Sequence, residues 1–256
     1  MEKRVVVVTG GATGIGLASS KKFAAKGDIV IIAGRREEKG RLAVQEIEAA
    51  GGEAIFVQTD VSKESDVKDL IDTAVERYGR IDVLFNNAGV PGKMAGIYDL
   101  SSEDYREVLD IDVMGVVYGT MYASRAMIEK KIKGVIINTT SELGIIACTN
   151  MSPYNMAKGA VKLFTMSAAA DLGKYGIRVV SVAPGTIETP MVAAALANEE
   201  DARMIRNNHM RKQVLKAEDV ANVVYFLSTE ESTVINGCDV SVDDGFAYFK
   251  DWKVVE

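Results

Sequence analysis

The sequence predicts an α/β protein: a doubly wound parallel sheet of about seven strands, with helices on both faces. Three observations predict it. Short β-branched or apolar runs recur along the chain, segments of helical length separate them, and a glycine-rich turn follows the first run. Strands joined by such helices pair in parallel through right-handed crossovers. A sheet wound that way is covered on both faces, so its strands read as continuous apolar runs.

The elements follow in order. Val5-Val6-Val7-Val8 is the first strand, and a helix is expected from Gly14 to Lys26. Ile29–Ala33 is the second strand. Glu37–Ala50 carries Leu42, Val44, Ile47 and Ala50 at helical spacing with charges between. Glu53–Gln58 is strand-like, and Ser62 reads as the cap of a helix ending at Gly79. Ile81–Phe85 is the fourth strand. Two long helical patterns, Ser102–Lys131 and Pro153–Tyr175, flank a fifth strand at Gly134–Thr139. Arg178–Val182 is the sixth. Met191–Arg211 is a polar, Met-containing helical insert, Ala217–Ser228 is helical, and Cys238–Val242 closes the sheet.

Composition narrows the function classes. The chain has 256 residues, 48% hydrophobic and 26% charged, with a formal net charge of −6. That is ordinary globular usage, not a disordered or collagen-like chain. A mildly acidic balance gives no footing for a nucleic-acid or anionic-membrane partner. Cys148 and Cys238 lack CxxC spacing and read as free thiols in a reducing compartment. Four valines are too short for a signal-peptide core, and no run approaches the roughly 18 to 20 residues of a membrane span. A soluble cytoplasmic protein is expected, with residues 1–256 as one domain, because no linker, repeat or low-complexity tract interrupts the pattern.

The first strand runs into Thr9-Gly10-Gly11-Ala12-Thr13-Gly14-Ile15-Gly16. Glycines there let the chain turn tightly and let a pyrophosphate approach the free amides of the next helix. No Gly-Lys-Ser/Thr follows, which argues against ATP or GTP hydrolysis. The second strand ends Ala33-Gly34-Arg35-Arg36, where an NAD-binding fold places an acid for the ribose 2′-hydroxyl. Two cations at a helix start oppose its dipole, and their presence points to a 2′-phosphate. NADP(H) is therefore expected over NAD(H). Asp60-Val61, after the third strand, is expected near the adenine. The turn Asn86-Asn87-Ala88-Gly89 is expected beside the glycine loop, lining the same crevice.

Ser141 follows the fifth strand, and Tyr154 and Lys158 lie four apart at the start of the next helix, on one face. An unperturbed tyrosine titrates near 10, too high for efficient proton transfer at neutrality. An ammonium about 4 Å from the phenolate, at an effective dielectric near 20, contributes about 4 kcal/mol, or roughly three pKa units. The pair is thus expected to carry the phenol toward neutrality. Desolvation opposes the shift, and a bound cationic nicotinamide assists it.

TGGATGIG, NNAG, Ser141, Tyr154-Asn155-Met156-Ala157-Lys158 and Pro184-Gly185-Thr186 occur in the order and spacing of the short-chain dehydrogenase/reductase family, which the chain resembles over essentially its whole length. The resemblance implies a Rossmann-like fold and a hydride transfer between a nicotinamide and a secondary alcohol or ketone. It implies that Tyr154 is the general acid/base and that Ser141 binds the substrate oxygen. Lys158 would lower the tyrosine pKa and hold the nicotinamide ribose. Gly10, Thr13, Gly14, Ile15, Gly16, Arg35, Arg36, Asp60, Val61, Asn87, Ala88 and Gly89 would bind the rest of the cofactor, with Pro184, Gly185, Ile187 and Thr189 at its nicotinamide end. One position departs from the family: Asp112 stands where an asparagine usually holds a water in a proton relay to the lysine. An ionised Asp112 donates no hydrogen bond and would partly cancel the lysine's field at Tyr154. A shifted pH optimum is expected.

Met94, Leu143, Ile145, Met151, Met191 and Val192 are placed to flank the crevice as an adaptable apolar lining. Leu143, Met151 and Met191, with Ser141 and Tyr154, are the expected substrate contacts. Residues 190–213 resemble the family's substrate lid. Relatives with such linings include hydroxysteroid dehydrogenases, while others act on sugars, polyols, quinones or acyl ketones. A non-catalytic dinucleotide sensor and an epimerase or dehydratase remain rival readings. His209, the single histidine, has no neighbouring ligand set, so no metal site is expected and the residue reads as a solvated part of the lid. The resemblance also implies that the two long helices pair between subunits in a homodimer or homotetramer.

Overall fold

The computed structural model describes residues 3–248; the two ends of the domain expected over 1–256 lie outside the described residues. Seven strands form one parallel sheet in the order β3-β2-β1-β4-β5-β6-β7. They are β1 (Val5–Thr9), β2 (Ile29–Gly34), β3 (Glu53–Gln58), β4 (Val83–Asn86), β5 (Val135–Thr139), β6 (Arg178–Pro184) and β7 (Asp239–Val242). The nine α-helices of the described residues are α1 (Gly14–Ala25), α2 (Glu37–Ala49), α3 (Glu64–Tyr78), α4 (Ser102–Val108), α5 (Gly115–Glu129), α6 (Ser152–Leu172), α7 (Ala193–Ala197), α8 (Glu199–Asn207) and α9 (Ala217–Leu227).

The valine run explains why both faces are covered. Side chains alternate across a strand, so Val6 and Val8 pack with Phe23, Ile47, Val220 and Val224 of α1, α2 and α9. Val5 and Val7 pack with Leu70, Ile71, Met127 and Ala169 of α3, α5 and α6 on the opposite face. All four valines are at most 1% exposed, each contributing roughly 1.5 to 3 kcal/mol of burial. The strand order reverses between β1 and β4, which opens the crevice at their carboxyl ends.

Three local expectations are corrected. Ser62 does not cap α3; Lys63 occupies that position, while the Ser62 hydroxyl donates to Asp60 Oδ1 at 2.8 Å. The pattern Ser102–Lys131 is not one regular helix, because a π-helical stretch, Leu109–Met114, joins α4 to α5. Residues 191–211 fold as two short helices, α7 and α8, rather than one insert.

Candidate active site

The glycine loop connects β1 to α1. Gly10 and Gly14 take left-handed φ values of 63° and 53°, open to glycine at little cost. A Cβ on Gly16 would lie 2.2 Å from the Gly10 carbonyl oxygen, so any larger residue there would push the loop off the helix. Thr13 is the N-cap of α1, yet its side chain caps no amide. The first-turn N–H groups are thus left to an external acceptor. This donor set fits a pyrophosphate.

The Asn86-Asn87-Ala88-Gly89 turn is tied to that loop. Thr9 Oγ1 accepts from the amides of Asn87 and Ala88 at 2.9 and 3.1 Å, and Asn87 Nδ2 donates to the Thr9 carbonyl at 3.0 Å. Asn86 goes elsewhere: buried, it donates to Asn138 Oδ1 at 2.9 Å, and Asn138 donates to Thr165 Oγ1. The other side of the crevice is the segment after β6. Thr189 Cγ2 lies 3.1 Å from where a Gly14 Cβ would sit, so this segment meets the glycine loop. Pro184 ends β6, and the amide of Gly185, which follows it, donates to the Val242 carbonyl at 3.1 Å.

Two expected cofactor contacts are narrowed. The side chains of Ile187 and Val61 are 4% and 7% exposed and belong to the core, so only their backbone can serve a ligand. Ile15 is half-buried against the α1 face of the core. Asp60 caps its own loop through Ser62, but it stays half-buried at the sheet end. Arg35 and Arg36 are exposed at the start of α2, and among the described residues no carboxylate pairs with either.

The reactive groups converge at the end of β5. Ser141 is buried, and its Oγ accepts from the Leu143 amide at 3.2 Å. Asn155 on α6 donates to the carbonyls of Leu143 and Ile146 at 2.7 and 2.9 Å, which fastens the Ser141 turn to the helix carrying Tyr154 and Lys158. This clamp escaped the sequence reading, because an asparagine beside the tyrosine has no signal of its own. Lys158 is 3% exposed; its Nζ donates to the Thr139 carbonyl at 3.1 Å and lies 5.4 Å from the Tyr154 ring centre.

Asp112 reaches Lys158 directly. Its Oδ2 is 3.0 Å from Lys158 Nζ, its Oδ1 accepts from the Val90 amide at 2.8 Å, and its side chain is fully buried. The π-helical stretch, a feature common at functional sites, delivers the carboxylate there. Burial opposes the Lys158 ammonium, but Asp112 and Tyr154 beside it hold its pKa above the ordinary value. For Tyr154 the expectation is reversed. Burial pushes the phenol above its ordinary value; Lys158 and the Ser141 hydrogen bond pull it down, but Asp112 and Glu142 oppose them. The lysine's field is present and is outweighed.

Asp112→Asn keeps an acceptor oxygen for one of the two partners, Lys158 or the Val90 amide, while removing a negative charge near Tyr154. The pH–rate inflection belonging to Tyr154 should move downward. A profile identical to wild type would contradict this role for Asp112.

The flanking residues divide. Leu143 and Met151 both precede Tyr154 and are half-buried, one in the Ser141 turn and the other at the N-cap of α6. Ile145 and Val192 are half-buried as well, whereas Met94 and Met191 are 65% and 50% exposed on their loops. His209 is not solvated: it is fully buried, its Nδ1 bonded to the Ile205 carbonyl at 3.0 Å and its ring 5.5 Å from Phe246. The segment is fastened at this end, because the Arg211 amide and guanidinium both donate to Asp244 at 2.8 Å. Cys148 and Cys238 are free thiols. Among the described residues no acidic, His or Cys cluster could hold a metal ion, and no helix is long and apolar enough to cross a membrane.

Comparison with known proteins accords with this geometry. A family model described as enoyl-(acyl carrier protein) reductase matches residues 10–247. Cyclopentanol dehydrogenase of Comamonas sp. is 36% identical over 246 residues, covering 95% of this chain and 96% of that protein. The structure of levodione reductase superposes with a TM-score of 0.91 at 31% identity, over 95% of this chain and 97% of that one. A variant of actinorhodin polyketide ketoreductase with NADPH superposes with a TM-score of 0.92 at 30% identity, over 96% and 98% of the two chains.

Proposed function

The chain belongs to the short-chain dehydrogenase/reductase family, and from that premise we propose that it is an NADP(H)-dependent enzyme interconverting a mid-sized apolar secondary alcohol and its ketone. The alcohol/ketone oxidoreductase class and a nicotinamide dinucleotide follow from the family. The observation that carries the reading is the convergence of Ser141, Tyr154 and Lys158 at the carboxyl end of β5, with Lys158 fixed from two sides. When bound, the nicotinamide supplies or takes up the hydride. The chain's own work is proton transfer and orientation. Tyr154 delivers its phenolic proton to the carbonyl oxygen in reduction and recovers it in oxidation. Ser141 holds the same oxygen by a hydrogen bond. Lys158 lowers the cost of the phenolate and is placed to hold the nicotinamide ribose.

Gly10, Thr13, Gly14 and Gly16 would cradle the pyrophosphate. Asp60 and the backbone of Val61 would border the adenine. Asn87, Ala88, Gly89, Pro184, Gly185, Thr189 and the backbone of Ile187 would line the nicotinamide end. The exposed Arg35 and Arg36 support a 2′-phosphate partner, and the ketoreductase neighbour with NADPH agrees. Cyclic substrates are the first choice, since the relatives are named for cyclopentanol and levodione. A hydroxysteroid is a larger member of the same class, and the half-buried Leu143, Ile145 and Met151 suit it. We read residues 190–213 as the lid over that substrate. An assay of dinucleotide oxidation and reduction against cyclic ketones, steroids, polyols and simple alcohols tests the proposal. Turnover confined to polyols or sugars would replace the substrate class.

The exposed face of α6 carries Met156, Leu163 and Met166 at 44%, 65% and 48% exposure. We read it as a contact between copies in a homodimer or homotetramer of the cytoplasmic enzyme. Sedimentation should give two or four chain masses; a single chain mass would refute the assembly.

A further inference from the structure

Glu142 follows Ser141 and belongs to none of the family motifs quoted above. It is 5% exposed, and its Oε2 accepts from Ser141 Oγ at 3.0 Å. A carboxyl this deep is costly to ionise unless it is paired, and among the described residues no cation forms an ion pair with it. The groups around it are mostly acidic or already engaged. Asp243, after β7, raises its pKa through space, with both oxygens taken by the amides of Gly245 and Ala247. Tyr154 approaches from α6, and Lys158 on the same helix is committed to Asp112 and Thr139. His209 borders Asp243 at Gly185.

A serine hydroxyl has one proton and two lone pairs. It cannot donate its proton both to Glu142 and to a substrate oxygen. We propose that Glu142 is a positioning residue that sets the direction of the Ser141 hydroxyl. As the neutral acid it donates to Ser141 Oγ, which frees the Ser141 proton for a substrate carbonyl. As the carboxylate it takes the Ser141 proton, and the substrate oxygen loses that donor. The inference rests on the alcohol/ketone reading above and makes the neutral acid the competent state in both directions, which share one transition state.

Burial raises the Glu142 carboxyl to about 7, against the hydrogen bond from Ser141. The sign follows. Below that pH the acid is neutral and Ser141 donates to the substrate oxygen; as pH rises through it, that donor is lost. In wild type, kcat/KM for reduction should fall about ten-fold between pH 6 and 8.5, less than the loss from deleting an oxyanion donor outright. Glu142→Gln cannot titrate, and its profile should stay within about two-fold over that range, Tyr154's inflection aside. An unchanged wild-type inflection in Glu142→Gln would overturn the proposal.

Infrared difference spectroscopy of the protein without substrate separates this failure from failure of the enzymatic reading. A carboxyl C=O band should titrate near neutrality, vanish in Glu142→Gln and shift in Ser141→Ala, which removes its partner. A band indifferent to Ser141→Ala, or the absence of such a band, overturns the proposal whether or not turnover is found. Absent turnover with the expected band would overturn the enzymatic reading alone.

Discussion

Tyr154→Phe should lower kcat/KM by about 10³-fold, within the range usual for a lost general acid/base, while dinucleotide affinity stays within a factor of two. The phenol is the one group in the constellation placed to exchange a proton with a substrate oxygen. Ser141 is hydrogen-bonded to its neighbours, and Lys158 is spent on Thr139 and Asp112. The Lys158 ammonium lies 5.4 Å from the ring centre, a contact that phenylalanine keeps with the shape of the ring. Fluorescence titration with the reduced dinucleotide, beside steady-state rates, checks both halves. Turnover retained at wild-type level would remove Tyr154 from its role.

Replacing Arg35 and Arg36 together with alanine should weaken NADPH binding by about 10²-fold and leave NADH binding within a few-fold. A charge-assisted hydrogen bond contributes about 1.5 to 3 kcal/mol, and 1.4 kcal/mol is ten-fold in affinity. Both side chains are exposed at the α2 N-terminus, so the fold should not suffer. Comparative binding of the two dinucleotides reads the effect directly. Equal loss for both would mean that the pair serves the pyrophosphate or the fold, not the 2′-phosphate.

The sheet was legible because burial on two faces leaves a continuous signature: Val5–Val8, Ile29–Ala33 and Arg178–Val182 cannot be half-wet strands. The phosphate loop was legible because it needs glycine at fixed places, as Gly16 against the Gly10 carbonyl shows. What was missed depends on three-dimensional neighbours. The π-helical stretch that delivers Asp112 reads as ordinary helix, because local propensities do not distinguish the two. His209 looks polar and solvent-bound in sequence, yet the chain after β7 folds over it, with Arg211 held by Asp244. The upward push on the Tyr154 phenol comes from its burial and from Asp112 and Glu142, whose distances to it are set by the fold and not by local sequence. Glu142 itself has no motif; only its depth and its bond to Ser141 mark it.

The proposed hydride transfer between a nicotinamide and a carbonyl carbon in this crevice can be followed with reduced dinucleotide carrying deuterium at the transferred position, a cyclic ketone and mass spectrometry of the product. One deuterium per molecule at the carbinol carbon, formed in step with dinucleotide oxidation and lost in Tyr154→Phe, is the predicted result. Dinucleotide binding without label transfer to any alcohol or ketone in the panel would contradict it.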